Sequence, residues 1–523
     1  MLSSVMNIDS LYFRTRKNIH LILLLSVFLM LRLYGIREPL IEMHNVRQTQ
    51  TAMITRNLLN DNFNMLYTRI DWDGDKPGIV VQEFPLYQLI VALAWKIIGP
   101  YDIIGRLVSL AFSILAALYL FKISKLLFDE NVAYWTVAFF AICPMAVFMS
   151  RAFMINMMAL SFSLVSLYHW LVWSKEKEIR FALYGTLMLT LAALINLTTI
   201  LPVAVVVVYL VFKKWENNRE TYLSVALLAT VFVGANLLWS SHAANVNSIY
   251  YPQWSGGVLL RHFLGLDVSR LDLYKWFRIT SYFVVFVAGI HGVIFSLWGL
   301  KSVWQRWSDS GRILIIWCLG GTLYYLIFFN ALAGHNYYSL PIIPLLSILI
   351  GVAVSHEALS FLKRRGRGWQ VAAVLFVVTL PLWVLPPILH STEEDYVSYK
   401  AGLAARAHSQ KNDLILVGIL HTNVASPVYP TILYYADRRG WNIATPFDPD
   451  LNQREIDSLR NRGAKVLVLT YGLQPVPPIT SLFPFHQYFS HQVRIEASQV
   501  IESLKKRYEV IEEDQSYVIF RLY

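Results

Sequence analysis

The chain has 523 residues, of which 56% are hydrophobic and only 15% charged, against about 25% charged in an average soluble domain. That excludes an ordinary soluble globular protein. The net charge of +11 sits in short basic clusters between apolar runs, which accounts for it without nucleic acid. Cys143 and Cys318 both lie inside apolar runs, so neither a disulfide framework nor a cysteine metal site is available.

Apolar runs of about 18 residues or more recur along the chain, enough for helices that cross a hydrocarbon core of about 30 Å. The first, Leu21 to Ile36, follows Arg14, Arg16 and Lys17 and has no small-residue cleavage site after it, so it reads as a retained helix. Further spans are predicted at 103–126, 131–150, 152–174, 181–197, 199–213, 221–241, 279–300, 312–332, 337–358 and 369–390. Lys122 with Lys125, Lys175 to Arg180, Lys213 to Arg219, Lys301 to Arg312 and Lys363 to Arg367 fall in short connections, which the positive-inside rule places in the cytoplasm. With the first helix, that makes eleven spans, an inside N-terminus and an outside C-terminus. Phe84 to Gly99 has only sixteen residues and carries Lys96; at about 24 Å it is short of a span and reads as an interfacial helix on the outer surface.

Past Leu389 the composition changes. Strands are predicted at 413–420, 464–470 and 517–522, with helices at 430–439, 453–462 and 497–507. Such alternation predicts a small α/β domain with a mostly parallel sheet. It has no glycine-rich phosphate loop and no Ser/His/Asp signature, so it reads as a recognition or scaffolding domain. The predicted organisation is a polytopic α-helical membrane domain over 1–390, with outer loops at 37–99 and 242–278, followed by an outer α/β domain over 391–523.

The loop from Glu42 to Gln88 is where ionisable groups are densest, and a plain anchor has no use for them. Its acids and histidine are Glu42, His44, Asp71, Asp73, Asp75 and Glu83; its cations are Arg47, Arg56, Arg69 and Lys76. On the same predicted face lie Arg151 and the run His335, Tyr337 and Tyr338. Plain structural readings stand beside these: an Asp-Gly turn at Asp73, an interfacial aromatic belt at Tyr337 and Tyr338, an ordinary interfacial histidine at His44.

HNVRQTQTAMITRNL, YTRIDWDG, EFPLYQLIVAL and GRLVSLAFS, with SRAFM at Ser150 to Met154 and HNYYSLPIIPLL from His335, resemble the bacterial family 39 glycosyltransferases. These are GT-C enzymes related to protein O-mannosyltransferases and to the lipid A aminoarabinose transferase. The resemblance covers about residues 18 to 390. It implies a sugar donor on polyprenyl phosphate, used at the periplasmic face of a bacterial inner membrane, and a lipid, glycan or protein acceptor on that side.

Such a transfer needs a base for the acceptor proton and cations for the departing phosphate. The resemblance places the base early in the loop, near Glu42 and His44; Glu83, at the junction with the interfacial helix, is the strongest single acid. Arg47, Arg56, Lys76 and Arg151 are expected to bind phosphate, and Gln48, Gln50, Asn156, His335, Tyr337 and Tyr338 the sugar or phosphate. Asp71, Asp73 and Asp75 form a candidate divalent-metal loop; no other cofactor is expected. Many relatives carry acids where Gln50 and Asn156 stand, and an amide cannot act as a base, which shifts the expectation to Glu42, His44 and Glu83. A polysaccharide polymerase or O-antigen ligase is the nearest rival reading. A lipid-linked sugar transporter ranks lower, because the apolar runs hold few ionisable groups.

Overall fold

The computed structural model describes residues 22–213, 215–216, 218–254, 268–369, 371, 384–386, 388–389, 391, 396–420, 429–443, 449–471 and 498–523. Arg14, Arg16, Lys17, Lys214, part of the 242–278 loop and most of the predicted span 369–390 lie outside them.

The helices run in order: α1 (Ile22–Leu33), α2 (Asn45–Asn60), α3 (Leu86–Ile98), α4 (Asp102–Leu127), α5 (Glu130–Ile142), α6 (Pro144–Met149), α7 (Asn156–Glu176), α8 (Ile179–Ile195), α9 (Leu197–Lys213), α10 (Arg219–Tyr250), α11 (Leu273–Arg306), α12 (Asp309–Ile327), α13 (Phe329–Gly334) and α14 (Asn336–Phe361). Among the described residues six are long and apolar enough to cross a membrane: α4, α7, α10, α11, α12 and α14. The predicted span 131–150 is broken into α5 and α6 at Cys143, because Pro144 opens α6 and cannot donate into the preceding turn. The predicted span 152–174 starts only at Asn156.

Basic residues cluster at one end of the bundle and tie helix ends together there: Lys125 with Glu130 at 3.8 Å, Lys177 with Glu216 at 3.5 Å, Lys213 with Asp309 at 3.1 Å. Close backbone packing holds the helices in the absence of a hydrophobic driving force. A Cβ on Gly299 of α11 would stand 2.0 Å from the Leu349 carbonyl oxygen of α14.

The chain then forms α15 (Tyr396–Ala407), β1 (Leu414–Ile419), α16 (Pro430–Ala436), β2 (Gly440–Asn442), α17 (Pro449–Asn461), β3 (Ala464–Thr470), α18 (498–505), β4 (Glu509–Glu513) and β5 (Tyr517–Arg521). The sheet order is β2-β1-β3-β5-β4. β2, β1 and β3 are parallel, but β5 runs antiparallel to both β3 and β4. The sheet is therefore mixed and not mostly parallel, because β4 and β5 form a hairpin and a short turn permits only antiparallel pairing.

Side chains alternate across this sheet as the pleat requires. Leu416, Leu467, Val518 and Phe520 pack on α17 and α18. Ile415, Val417, Val466, Val468 and Ile519 join one continuous core with Met53 of α2, Val91 of α3 and Phe153 and Met158 at the start of α7. The α/β unit is thus welded to the first loop.

That loop carries a hairpin in which Ile70 N–H donates to Gly78 O at 2.8 Å and Val80 N–H to Thr68 O at 2.9 Å. Its tip contacts the open edge of β2 and pairs Asp75 with Arg462 at 2.5 Å. Loop and α/β unit must therefore share one membrane face. In intact cells or oriented vesicles, Lys76→Cys and Arg460→Cys should react with an impermeant thiol reagent from the same side, and Arg365→Cys only from the other. Labelling of Lys76→Cys and Arg365→Cys from one side would refute the topology.

Candidate functional site

Three segments meet beside the N-terminus of α2. Its N-cap, His44, takes a left-handed conformation (φ 61°), uncommon outside glycine. Arg47 and Gln50 follow one turn apart on the helix, so their side chains are neighbours. The outgoing arm of the hairpin delivers Gln82 and Glu83, and the turn into α14 delivers His335, Asn336, Tyr337 and Tyr338.

Arg47 is the hub. Its Nη2 pairs with Glu83 Oε1, and Nη1 donates to Gln50 Oε1 at 3.1 Å and to Gln82 Oε1 at 3.3 Å. Gln50 Nε2 donates to the same Gln82 oxygen at 3.1 Å. Burial works against the Arg47 charge, but the Glu83 carboxylate, Tyr337 and Tyr338 together outweigh it and hold the guanidinium above its ordinary range. Two amides thus stand around the Arg47–Glu83 pair. Gln82 Nε2 is buried without a hydrogen-bond partner among the described residues. A buried donor without a partner costs free energy.

His44 Nε2 lies 2.6 Å from Asn336 Oδ1, while Asn336 Nδ2 faces Met43 Sδ at 3.6 Å. An amide oxygen only accepts, so Nε2 carries the hydrogen and Nδ1 is left unprotonated. The His44 ring meets Tyr337 edge-on at 4.8 Å and His335 at 6.2 Å, and His335 stacks on Tyr337 at 5.2 Å. Burial, partly offset by the Asn336 bond and reinforced by His335, pushes the imidazole down to about 4.

His44 is therefore neutral at pH 7. The unfolded chain binds a proton between about pH 4 and 6.5 that the folded protein refuses, so this group makes stability rise with pH across that window and adds no slope above it. The melting temperature of the wild type should climb from pH 4 to 6.5 more steeply than that of His44→Asn. Equal slopes would remove His44 from this environment.

The remaining expected residues are placed elsewhere. Glu42 is held between two arginines, 2.5 Å from Arg106 Nη1 and 3.5 Å from Arg151 Nη2, with all three side chains at most 1% exposed. Arg106 also donates to the carbonyls of Glu38, Pro39 and Arg151, and Arg151 to those of Gly35 and Leu389. This buried triad anchors the loop to the bundle. Gln48, fully buried, accepts from Phe153 N–H at 3.0 Å and donates to Met43 O, so it fastens the loop to the SRAFM turn. Asn156 is buried as the first residue of α7.

Arg56 pairs with Asp71 at 2.6 Å and Asp437 at 3.1 Å, and donates to Tyr434 O. Asp71 also accepts from Asn57, Asp75 takes Arg462, and the carbonyl of exposed Lys76 takes Arg439. Asp73 bridges to Trp441. That Asp73–Trp441 link is made by the backbone, and Asp73 Oδ2 is buried without a hydrogen-bond partner among the described residues, while Asp71 and Asp75 each hold an arginine; among the described residues no three His, Cys, Asp or Glu side chains gather as metal ligands. Gln82 and Asn336 were not singled out from the sequence, although both adjoin residues that were.

Residues 75–239 match the family model described as dolichyl-phosphate-mannose-protein mannosyltransferase. ArnT from Cupriavidus metallidurans, solved bound to undecaprenyl phosphate, is similar in structure over 97% of this chain and 98% of its own, at 13% identity and TM-score 0.60. The Archaeoglobus fulgidus oligosaccharyltransferase in its apo form aligns over 86% of this chain and 69% of its own, at 11% identity and TM-score 0.55. No curated protein matches by sequence. The chain has the GT-C membrane fold shared with these proteins.

Proposed function

We propose that this GT-C chain is an integral membrane glycosyltransferase that moves a sugar from a polyprenyl-phosphate donor to an acceptor on the face carrying the α/β unit. The observation that carries the reading is the Arg47–Glu83 pair flanked by Gln50 and by the orphan amide of Gln82. It offers a cation, a carboxylate and an unused N–H donor in one place, at the end of a membrane bundle. Fold likeness alone does not assign chemistry; this set of groups is what supports the reading.

In the proposed reaction the donor phosphate takes Arg47 N–H groups, and Gln82 Nε2 donates to a phosphate or sugar oxygen. Glu83 accepts the proton of the acceptor hydroxyl as that oxygen attacks the anomeric carbon. The bond from that carbon to the phosphate oxygen breaks, its electron pair leaving on polyprenyl phosphate beside the guanidinium. One direct displacement inverts the anomeric configuration. We assign the protein to a bacterial inner membrane with the α/β unit in the periplasm.

The test is donor use. Arg47→Ala should weaken binding of polyprenyl-phosphate sugar by about 1.5–3 kcal/mol, as for a hydrogen bond to a charged group. Arg47→Lys should recover only part, because an ammonium cannot reproduce the guanidinium fork. Unchanged donor affinity in Arg47→Ala would reject the assignment.

A further inference from the structure

The tip of the first-loop hairpin is built into the α/β sheet. Gly440 N–H of the edge strand β2 donates to Asp71 O at 2.9 Å, and Gly74 N–H donates back to Gly440 O at 2.7 Å. Asp73 and Trp441 form an antiparallel bridge, so the loop continues the sheet past its open edge, as an added strand would. The Trp441 indole fills the notch at Gly74: a Cβ there would stand 1.8 Å from the ring, and Gly74 has φ +58°. Arg462 covers the indole at 5.1 Å while pairing with Asp75.

The other end of the same arm reaches the site. From the tip the chain runs outward through Val80 and Val81 to Gln82 and Glu83. Its flank is gripped from α10: Asn247 takes both Val81 N–H, at 2.9 Å, and Val81 O, at 2.7 Å, and Trp239 Nε1 donates to Gln82 O at 3.0 Å. Phe84 N–H closes the arm on Leu194 O at 2.9 Å. The arm is thus a short tether with its origin on β2 and its end on Arg47. Nothing in the catalytic proposal uses Trp441 or Gly74.

We propose that Trp441, seated in the Gly74 notch, is a positioning residue that sets the reach of the 79–83 arm and so places Gln82 and Glu83 against Arg47. The α/β unit then acts on the site through this indole, and not through groups of its own. The positional claim stands on the geometry; its consequence for donor binding rests on the function proposed above.

The test compares Gly74→Ala, Trp441→Ala and Trp441→Phe in the full-length purified protein. Amide exchange is read at Val81 and Phe84, with α4 and α7 as an internal check on folding. Gly74→Ala should speed exchange at the arm by about tenfold or more, as for local release of a tethered segment, with α4 and α7 unchanged. Trp441→Ala should do the same, because the seat of the hairpin tip is lost with the indole, and Trp441→Phe should stay close to wild type. Arm exchange unmoved in Trp441→Ala overturns the proposal, as does Trp441→Phe released as fully as Trp441→Ala. Binding of undecaprenyl phosphate, measured on the same proteins, separates the two claims. Released arms with weakened binding support both; released arms with wild-type binding uphold the tether and reject the donor reading.

Discussion

Glu83→Gln should lower sugar transfer by about 10²-fold or more, the range expected for a general base that also shapes the electrostatics of its site. The substitution keeps the size and the carbonyl oxygen that Arg47 Nη2 holds, so the side chain stays in place while its basicity is lost. The melting temperature should fall as well, because the pair is mostly buried, at 23% and 16% exposed, and Glu83 is an anion that offsets the burial of the Arg47 charge. Single-turnover transfer from a polyprenyl-phosphate sugar, alongside thermal unfolding, separates chemistry from folding. Glu83→Asp should retain part of the rate with the carboxylate withdrawn by one methylene. Wild-type turnover in Glu83→Gln would remove this residue from the chemistry and leave His44 Nδ1 as the remaining base beside Arg47.

What the sequence made legible follows from the range of the forces involved. Hydropathy acts over one helix, so most helices could be read from composition, and the basic clusters mark one end of the bundle. The density of charge in the first loop was also legible, and Arg47, Glu83, His44, His335 and Tyr337 do come together. Their partners were less so. Arg56, Asp71, Asp73 and Asp75 look like site residues in isolation, yet they meet Asp437, Trp441 and Arg462, more than 360 residues away. The partners of Glu42 are hidden for the same reason: its two arginines come from α4 and from the turn before α7.

Local punctuation was underused in one place, since Pro144 breaks a run that hydropathy alone joins. The three-residue strand β2 is too short to carry a period, yet it holds the loop. Gln82 gave no signal of its own, because its partners Arg47 and Gln50 lie more than 30 residues away in the chain.

The largest loss of stability is expected from breaking the Glu42 triad. Removing one member of a buried ion cluster leaves an uncompensated charge and costs about 3–5 kcal/mol. Glu42→Gln leaves Arg106 and Arg151 buried together with carbonyl oxygens as hydrogen-bond partners and only the weaker pull of Asp102 on the first and Glu38 on the second. Arg151→Ala should be milder, since Glu42 keeps Arg106 at 2.5 Å, although Gly35 O and Leu389 O each lose a donor. The triple variant Glu42→Leu/Arg106→Met/Arg151→Met should be less damaged than Glu42→Gln, because replacing a whole buried cluster by apolar groups avoids stranding a charge. Unfolding in detergent, followed by urea or by heat, gives the order directly. The same series decides what Arg151 is for. As an anchor, it should lose stability on truncation, with donor affinity in the surviving folded fraction falling no more than the misplaced α2 explains. Were Arg151→Ala to melt like wild type yet fail to bind undecaprenyl phosphate, the guanidinium would be facing the lipid, and the triad would be part of the site it now supports.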